Sequence, residues 1–99
     1  MSFGHARHRL DDLIHSPVRF SIVAALATVE QADFKTVRDT VEITDSVLSK
    51  QSQLLEQAGY VKIKKGFVGK RPRTWLSLTA AGRAAFEAHL QALRDIAGG

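Results

Sequence analysis

Residues 44–78 read TDSVLSKQSQLLEQAGYVKIKKGFVGKRPRTWLSL, and a change of period inside this stretch decides the fold. Thr44 is a favoured N-cap and Asp45 falls in the first turn, where a negative charge is stabilised. From Asp45 to Ala58 a helix is expected, with Leu48, Leu55 and Ala58 facing inward. Gly59 suits the position that stops it. Beyond Gly59 the pattern shortens: Tyr60-Val61-Lys62-Ile63-Lys64-Lys65 alternates apolar with basic, the mark of a half-buried strand. Gly66 to Arg73 reads as a loop by its glycines and Pro72, and Thr74 to Leu78 alternates again as the return strand. A helix thus feeds directly into a β-hairpin with a long basic tip.

Upstream, Ser16-Pro17 is an N-cap followed by the residue favoured at the first helical position. The helix it opens carries Val18, Ile22, Leu26 and Val29 as a broad apolar stripe. Leu10, Leu13 and Ile14 lie at helical spacing just before it. Asp33 can cap a short helix whose Phe34, Val37 and Val41 share a face, leaving Lys35, Arg38, Asp39 and Glu42 in water. Downstream, Thr79 caps an Ala-rich helix in which Phe86, Leu90, Leu93 and Ile96 line one side. We expect one domain over residues 1–99: a flexible arm at 1–9, helices within 10–28, a helix-turn-helix at 33–58, the hairpin at 60–78 and a last helix at 80–97. The fold class is mainly α with a small β part (α+β): a three-helix core, a hairpin wing and a C-terminal dimerisation helix, in winged helix-turn-helix order.

The bulk numbers agree with a small globular domain. The chain has 99 residues, 44% hydrophobic and 24% charged, too short for two independent cores. It has no cysteine, so disulfides and thiolate metal sites are excluded. The start of the chain lacks the apolar run of a secretory signal, and no stretch is long enough to span a bilayer, so a cytoplasmic protein without membrane contact is expected. Fourteen Lys and Arg against ten Asp and Glu give a net charge of +4, which favours a polyanionic partner. Lys62, Lys64, Lys65, Lys70, Arg71 and Arg73 place six of these charges between residues 62 and 73, with no acidic residue among them. Such crowding repels itself in the free protein and is relieved by a polyanion. Lysines also protect exposed strand edges, so the hairpin alone does not decide.

The helix before the hairpin supplies the complement. Asp45, Ser46, Ser49, Lys50 and Gln53 fall on the side away from Leu48 and Leu55, and such residues can meet base edges or phosphates. Together they point to double-stranded DNA, with the third helix in a major groove and the hairpin along the backbone or in the next minor groove. The candidate contacts are Thr44, Asp45, Ser46, Ser49, Lys50, Gln53, Lys65, Lys70, Arg71 and Arg73.

Three motifs carry a resemblance to a known family: Thr44-Asp45-Ser46-Val47-Leu48-Ser49-Lys50-Gln51; Leu55-Glu56-Gln57-Ala58-Gly59-Tyr60-Val61 running on to the wing residues Gly66 to Thr74; and Leu78-Thr79-Ala80-Ala81-Gly82-Arg83. They resemble the MarR-type winged-helix regulators, in particular their short, ArsR-like branch, over residues 10–93. The resemblance implies a transcription regulator, usually a repressor, bound as a homodimer to a pseudo-palindromic operator. It also implies that Ser46, Ser49, Lys50 and Gln53 approach DNA and that Lys70, Arg71 and Arg73 form the wing contacts. Regulators of this kind are often released from DNA by a small-molecule effector, but 99 residues leave little room for a dedicated pocket and no residue cluster names a ligand. The family usually has an apolar residue where this chain has Ser52; its hydroxyl can bond back to a main-chain carbonyl.

The last helix offers more apolar surface than so small a domain covers, so Leu10, Leu13, Ile14, Phe86, Leu90 and Leu93 are the candidate dimer residues, and His15 and His89 are expected to approach each other at that interface. Trp75 is expected to plug the gap between wing and core. No metal cluster, phosphate loop or activated nucleophile is apparent, so neither a cofactor nor an enzyme is expected. The competing reading is a winged-helix protein–protein interaction module without specific DNA binding. RNA recognition would more often show aromatics on a sheet, and Phe67 in the wing is the one to qualify.

Overall fold

The computed structural model describes residues 4–98. Four helices and three strands follow as α1 (Pro17–Ala27), β1 (Ala32–Asp33), α2 (Phe34–Val41), α3 (Asp45–Gln57), β2 (Val61–Val68), β3 (Arg71–Leu78) and α4 (Ala80–Gly98), with a short 3₁₀ helix at Ala6–Arg9. Each α-helix starts where a side chain accepts a freed backbone N–H. Ser16 Oγ accepts from Arg19 N at 3.3 Å, Asp33 Oδ1 from Thr36 N at 2.7 Å, Thr44 Oγ1 from Val47 N at 3.2 Å and Thr79 Oγ1 from Gly82 N at 2.9 Å. Helix α3 ends as expected: Gly59 takes φ +81°, its N–H reaches Glu56 O, and Tyr60 N–H reaches Leu55 O, both at 2.9 Å.

The core is built from Ile14, Ile22, Val23, Leu26, Val37, Leu48, Leu55, Val61 and Leu76. Leu48 and Leu55 face it as expected, with Ser52 between them. The Ser52 hydroxyl is buried and donates to Leu48 O at 2.6 Å, so the polar group costs little in an apolar seam. Ala58 does not face inward: it is the C-cap of α3 and exposed, because the chain leaves the helix there. Val29 is likewise exposed, since α1 stops two residues earlier.

The sheet is antiparallel in the order β1-β3-β2. The expected loop at Gly66 to Arg73 is instead strand on both sides. Val68 pairs with Arg71, leaving a two-residue turn in which Gly69 takes φ +63°. Gly66 serves packing rather than turning: a Cβ there would stand 3.1 Å from the Trp75 ring. Trp75 alternates with buried Leu76 and so lies on the hairpin's outer face, beside Lys64, whose Nζ is 6.0 Å from the ring centroid. It covers the wing itself, not the gap between wing and core.

The N-terminal segment also differs from expectation. Residues 1–3 of the expected arm lie outside the described residues. Ala6–Arg9 is not free: it packs on α4, and Arg9 pairs with Asp95 at 2.6 Å. Leu10 to Ile14 forms no α-helix. Asp11 turns the chain, its carboxylate accepting from Leu13 N at 3.0 Å and its carbonyl from Ile14 N at 3.1 Å. Ile14 is fully buried in its own domain, so it belongs to the core and is withdrawn as a dimer residue. His15 and His89 meet within one chain, ring centroids 5.4 Å apart.

Candidate nucleic-acid interface

Helix α3 stands beside the wing, and a groove of about 910 Å³ runs between them. Ser49, Gln53 and Glu56 line it from α3, Lys65, Pro72, Arg73 and Thr74 from the wing, and Asp33, Phe34 and Lys35 from the start of α2. Ser49, Gln53, Lys65 and Arg73, far apart in sequence, therefore share one concavity. Ser46, Lys50 and Gln53 are exposed and Ser49 is half-buried. Lys70 and Arg71 are exposed at the hairpin turn, beyond the groove.

Two of the anticipated contacts are occupied within the chain. The Thr44 hydroxyl accepts from Val47 N as the cap of α3, and it lies 3.3 Å from the Ser46 hydroxyl. Asp45 accepts from Arg38 at 2.8 Å, and Arg38 also bonds Asp39 at 2.9 Å. These carboxylates, Asp45 first, hold the guanidinium above its ordinary pKa. The pair ties the end of α2 to the start of α3 and offsets the charge of Asp45 at the start of the polar face of α3. The turn it bridges contains Glu42 in the left-handed conformation, φ +60°. From the opposite side Arg19 donates to Gln51 Oε1 at 2.9 Å and to Leu13 O, setting α3 against α1.

Asp33 faces the groove too. The Thr36 backbone N–H holds its carboxyl below the usual carboxylate range, and Arg73 adds a smaller attraction. The groove is thus mixed in charge near the core, whereas the hairpin beyond it carries cations alone. Sequence reasoning missed Lys35, exposed on the groove's rim; its position in the first turn after the Asp33 cap was the available signal. It also missed Val47, 37% exposed on α3, and left Phe67 at 71% exposure without a role in DNA binding. Among the described residues no group of three or more His, Cys, Asp or Glu is placed to hold a metal ion, and no helix is long and apolar enough to cross a membrane.

A second, smaller cleft of about 300 Å³ lies between the start of α1 and α4. Ile14, His15, Phe20, His89 and Leu93 line it. His89 is buried, and its Nδ1 accepts the Asp11 backbone N–H at 3.0 Å. Burial lowers its pKa, with His15 adding to the effect and Asp11 opposing it.

Comparison with known proteins agrees with this geometry. The family model described as a winged helix DNA-binding domain matches residues 18–97. An uncharacterised protein of Methanocaldococcus jannaschii is 31% identical over 78 residues, covering 79% of this chain and 85% of that one. The structure of a transcriptional regulator homologue from Pyrococcus horikoshii superposes with a TM-score of 0.87 at 25% identity, over 96% of this chain and 95% of the other. Two longer proteins share the fold. A MarR-family transcriptional regulator from Silicibacter pomeroyi has a TM-score of 0.68 at 22% identity, over 94% of this chain and 62% of its own. The transcriptional regulator MosR from Mycobacterium tuberculosis, solved in complex with DNA, has a TM-score of 0.70 at 18% identity, over 95% and 64%. A helix-turn-helix beside a basic wing, matched to the family over residues 18–97, makes this chain a member of the winged helix DNA-binding family, with the fold of the MarR-type transcriptional regulators.

Proposed function

We propose that this DNA-binding regulator acts as a homodimeric repressor on a pseudo-palindromic operator, with α3 in the major groove and the wing in the adjacent minor groove. The observation that carries the reading is the joining of the polar face of α3 to a cationic hairpin across one groove, Ser49 and Gln53 opposite Lys65 and Arg73. Ser46, Ser49, Lys50 and Gln53 address base edges and nearby phosphates, and Lys65, Lys70, Arg71 and Arg73 address the backbone. Thr44 and Asp45 act by holding the start of α3. The complex of MosR with DNA supports duplex DNA as the partner of this fold.

Dimerisation is assigned to α4. Leu90 and Leu93 are half-buried along it, Phe86 packs partly on the core, and Leu10 and Leu13 stand at the neighbouring N-terminal segment. Isologous pairing would set two α3 helices about 34 Å apart, one turn of DNA. The cleft at His15, Phe20, His89 and Leu93 adjoins the same helix and is the candidate seat of a small-molecule effector.

The test is fluorescence anisotropy on a duplex of about 30 base pairs at several salt concentrations, with the Arg71→Ala/Arg73→Ala variant alongside. Affinity should fall steeply with salt, and removing two phosphate contacts should lower the log–log slope by about 2. No binding at low salt would refute the reading and direct attention to protein partners.

A further inference from the structure

We propose that Phe67, backed by Pro72, is an apolar wedge at the wing tip that enters the minor groove of bound duplex DNA and reads how easily the duplex deforms there; this rests on the DNA-binding reading above. Phe67 is 71% exposed and its neighbour Val68 48%, the two highest values among the exposed large hydrophobic residues of the described chain. Water should oppose such exposure, and nothing among the described residues covers it.

The hairpin register gives the wedge its form. Val68 and Arg71 close the two-residue turn as a hydrogen-bonded pair, so Phe67 and Pro72 oppose each other as the next, non-hydrogen-bonded pair. Side chains approach most closely in such pairs, and Pro72 has a fixed φ. Its missing N–H also falls on the outer edge, because β1 pairs with β3 only at Leu76 and Trp75. Phe67 therefore stands on a stiff support.

Charge and reach identify the occupant. Lys65, Lys70, Arg71 and Arg73 lie within three residues of Phe67 or Pro72 along the hairpin, and residues 62–73 contain no acid. A stable protein partner would bury about 800 Å² of surface on each side around an apolar centre, more than Phe67, Val68 and Pro72 among the cations of the hairpin provide. A minor-groove wedge needs a single apolar side chain between base steps. From the Ile63–Leu76 pair, the last in which a residue is buried, the hairpin runs five residues to Val68. That is about 16 Å of strand to the tip and about 13 Å to Phe67, on the order of the roughly 17 Å half-turn separating a major groove from the next minor groove.

Pyrimidine–purine steps unstack most readily, so the wedge should favour duplexes rich in TA steps. The experiment compares wild type, Phe67→Ala and Phe67→Trp by anisotropy on two labelled duplexes of about 30 base pairs, one rich in TA steps and one in stiff A-tracts. Phe67→Ala should lose about tenfold in affinity on the TA-rich duplex and less on the other, with the salt slope unchanged. Phe67→Trp should retain the preference. As Phe67 is exposed, Phe67→Ala should melt at the wild-type temperature. Equal affinities of wild type and Phe67→Ala on both duplexes, or equal losses on both, would overturn the wedge while leaving DNA binding intact. Absence of wild-type binding to either duplex would overturn the DNA reading and the wedge together.

Discussion

At Gly82 a single methyl group decides whether the last helix can dock. A Cβ there would stand 2.1 Å from the Tyr60 carbonyl oxygen, which is backbone and cannot swing aside. Thr79 completes the contact: its N–H donates to Tyr60 O at 3.0 Å and its hydroxyl to Gly59 O at 2.5 Å. The Gly59-Tyr60 turn and the Thr79-x-x-Gly82 start of α4 are thus two halves of one joint. Gly82→Ala should destabilise by about 3 kcal/mol, seen as a large drop in the urea midpoint and melting temperature. Gly59→Ala is the contrast. Its Cβ would meet nothing, so the cost is the left-handed backbone alone, about 1 kcal/mol. Equal losses in the two variants would contradict the steric account.

Between elements, the N-terminal segment is fastened to α4 by a polar chain. Tyr60 donates to the Asp11 carboxylate at 2.5 Å, Asp11 N–H donates to His89, and Arg9 pairs with Asp95. The His89 acceptor requires an unprotonated Nδ1, and burial lowers its pKa from the usual 6.5. A histidine that is harder to protonate in the folded state binds more protons when unfolded, so its stabilisation is complete above about pH 6.5 and is lost as pH falls towards the folded pKa. Wild type should therefore lose melting temperature between about pH 7.5 and pH 5.5, and His89→Asn, which keeps an acceptor without the titration, should give a flatter profile. Parallel profiles would remove His89 from this role. Little of this run of polar contacts is legible in the sequence. The histidines were expected to meet across a dimer, because a pattern shows which residues are apolar or titratable but not which copy faces them.

Over the whole molecule, the extents of 60 × 24 × 21 Å describe a long body, and α4 alone spans 19 residues. The wing bears the cations proposed to meet DNA, and α4 is the element proposed to meet a second copy. Leu90→Asp/Leu93→Asp should convert a dimer to a monomer in sedimentation velocity, and should weaken operator binding by at least about tenfold, since two linked half-sites act at a high effective concentration. A dimer that survives this change would place the interface elsewhere.

The helix order, the caps at Ser16, Asp33, Thr44 and Thr79, the stop at Gly59 and the basic hairpin were all determined by the sequence. Each depends on neighbours within a few residues, where periodicity and capping chemistry act directly. The tertiary structure decided the remainder. It made Gly66 to Arg73 a paired hairpin, because Gly69 turns the chain in two residues and Gly66 clears the Trp75 ring. It drew Ile14 into the core, engaged Asp45 with Arg38, and set Ser49 and Gln53 opposite Lys65 and Arg73. The burial of Ile14 and the facing of α3 and the wing depend on which distant surfaces meet when apolar area leaves water, and the local pattern of the chain carries no record of that pairing.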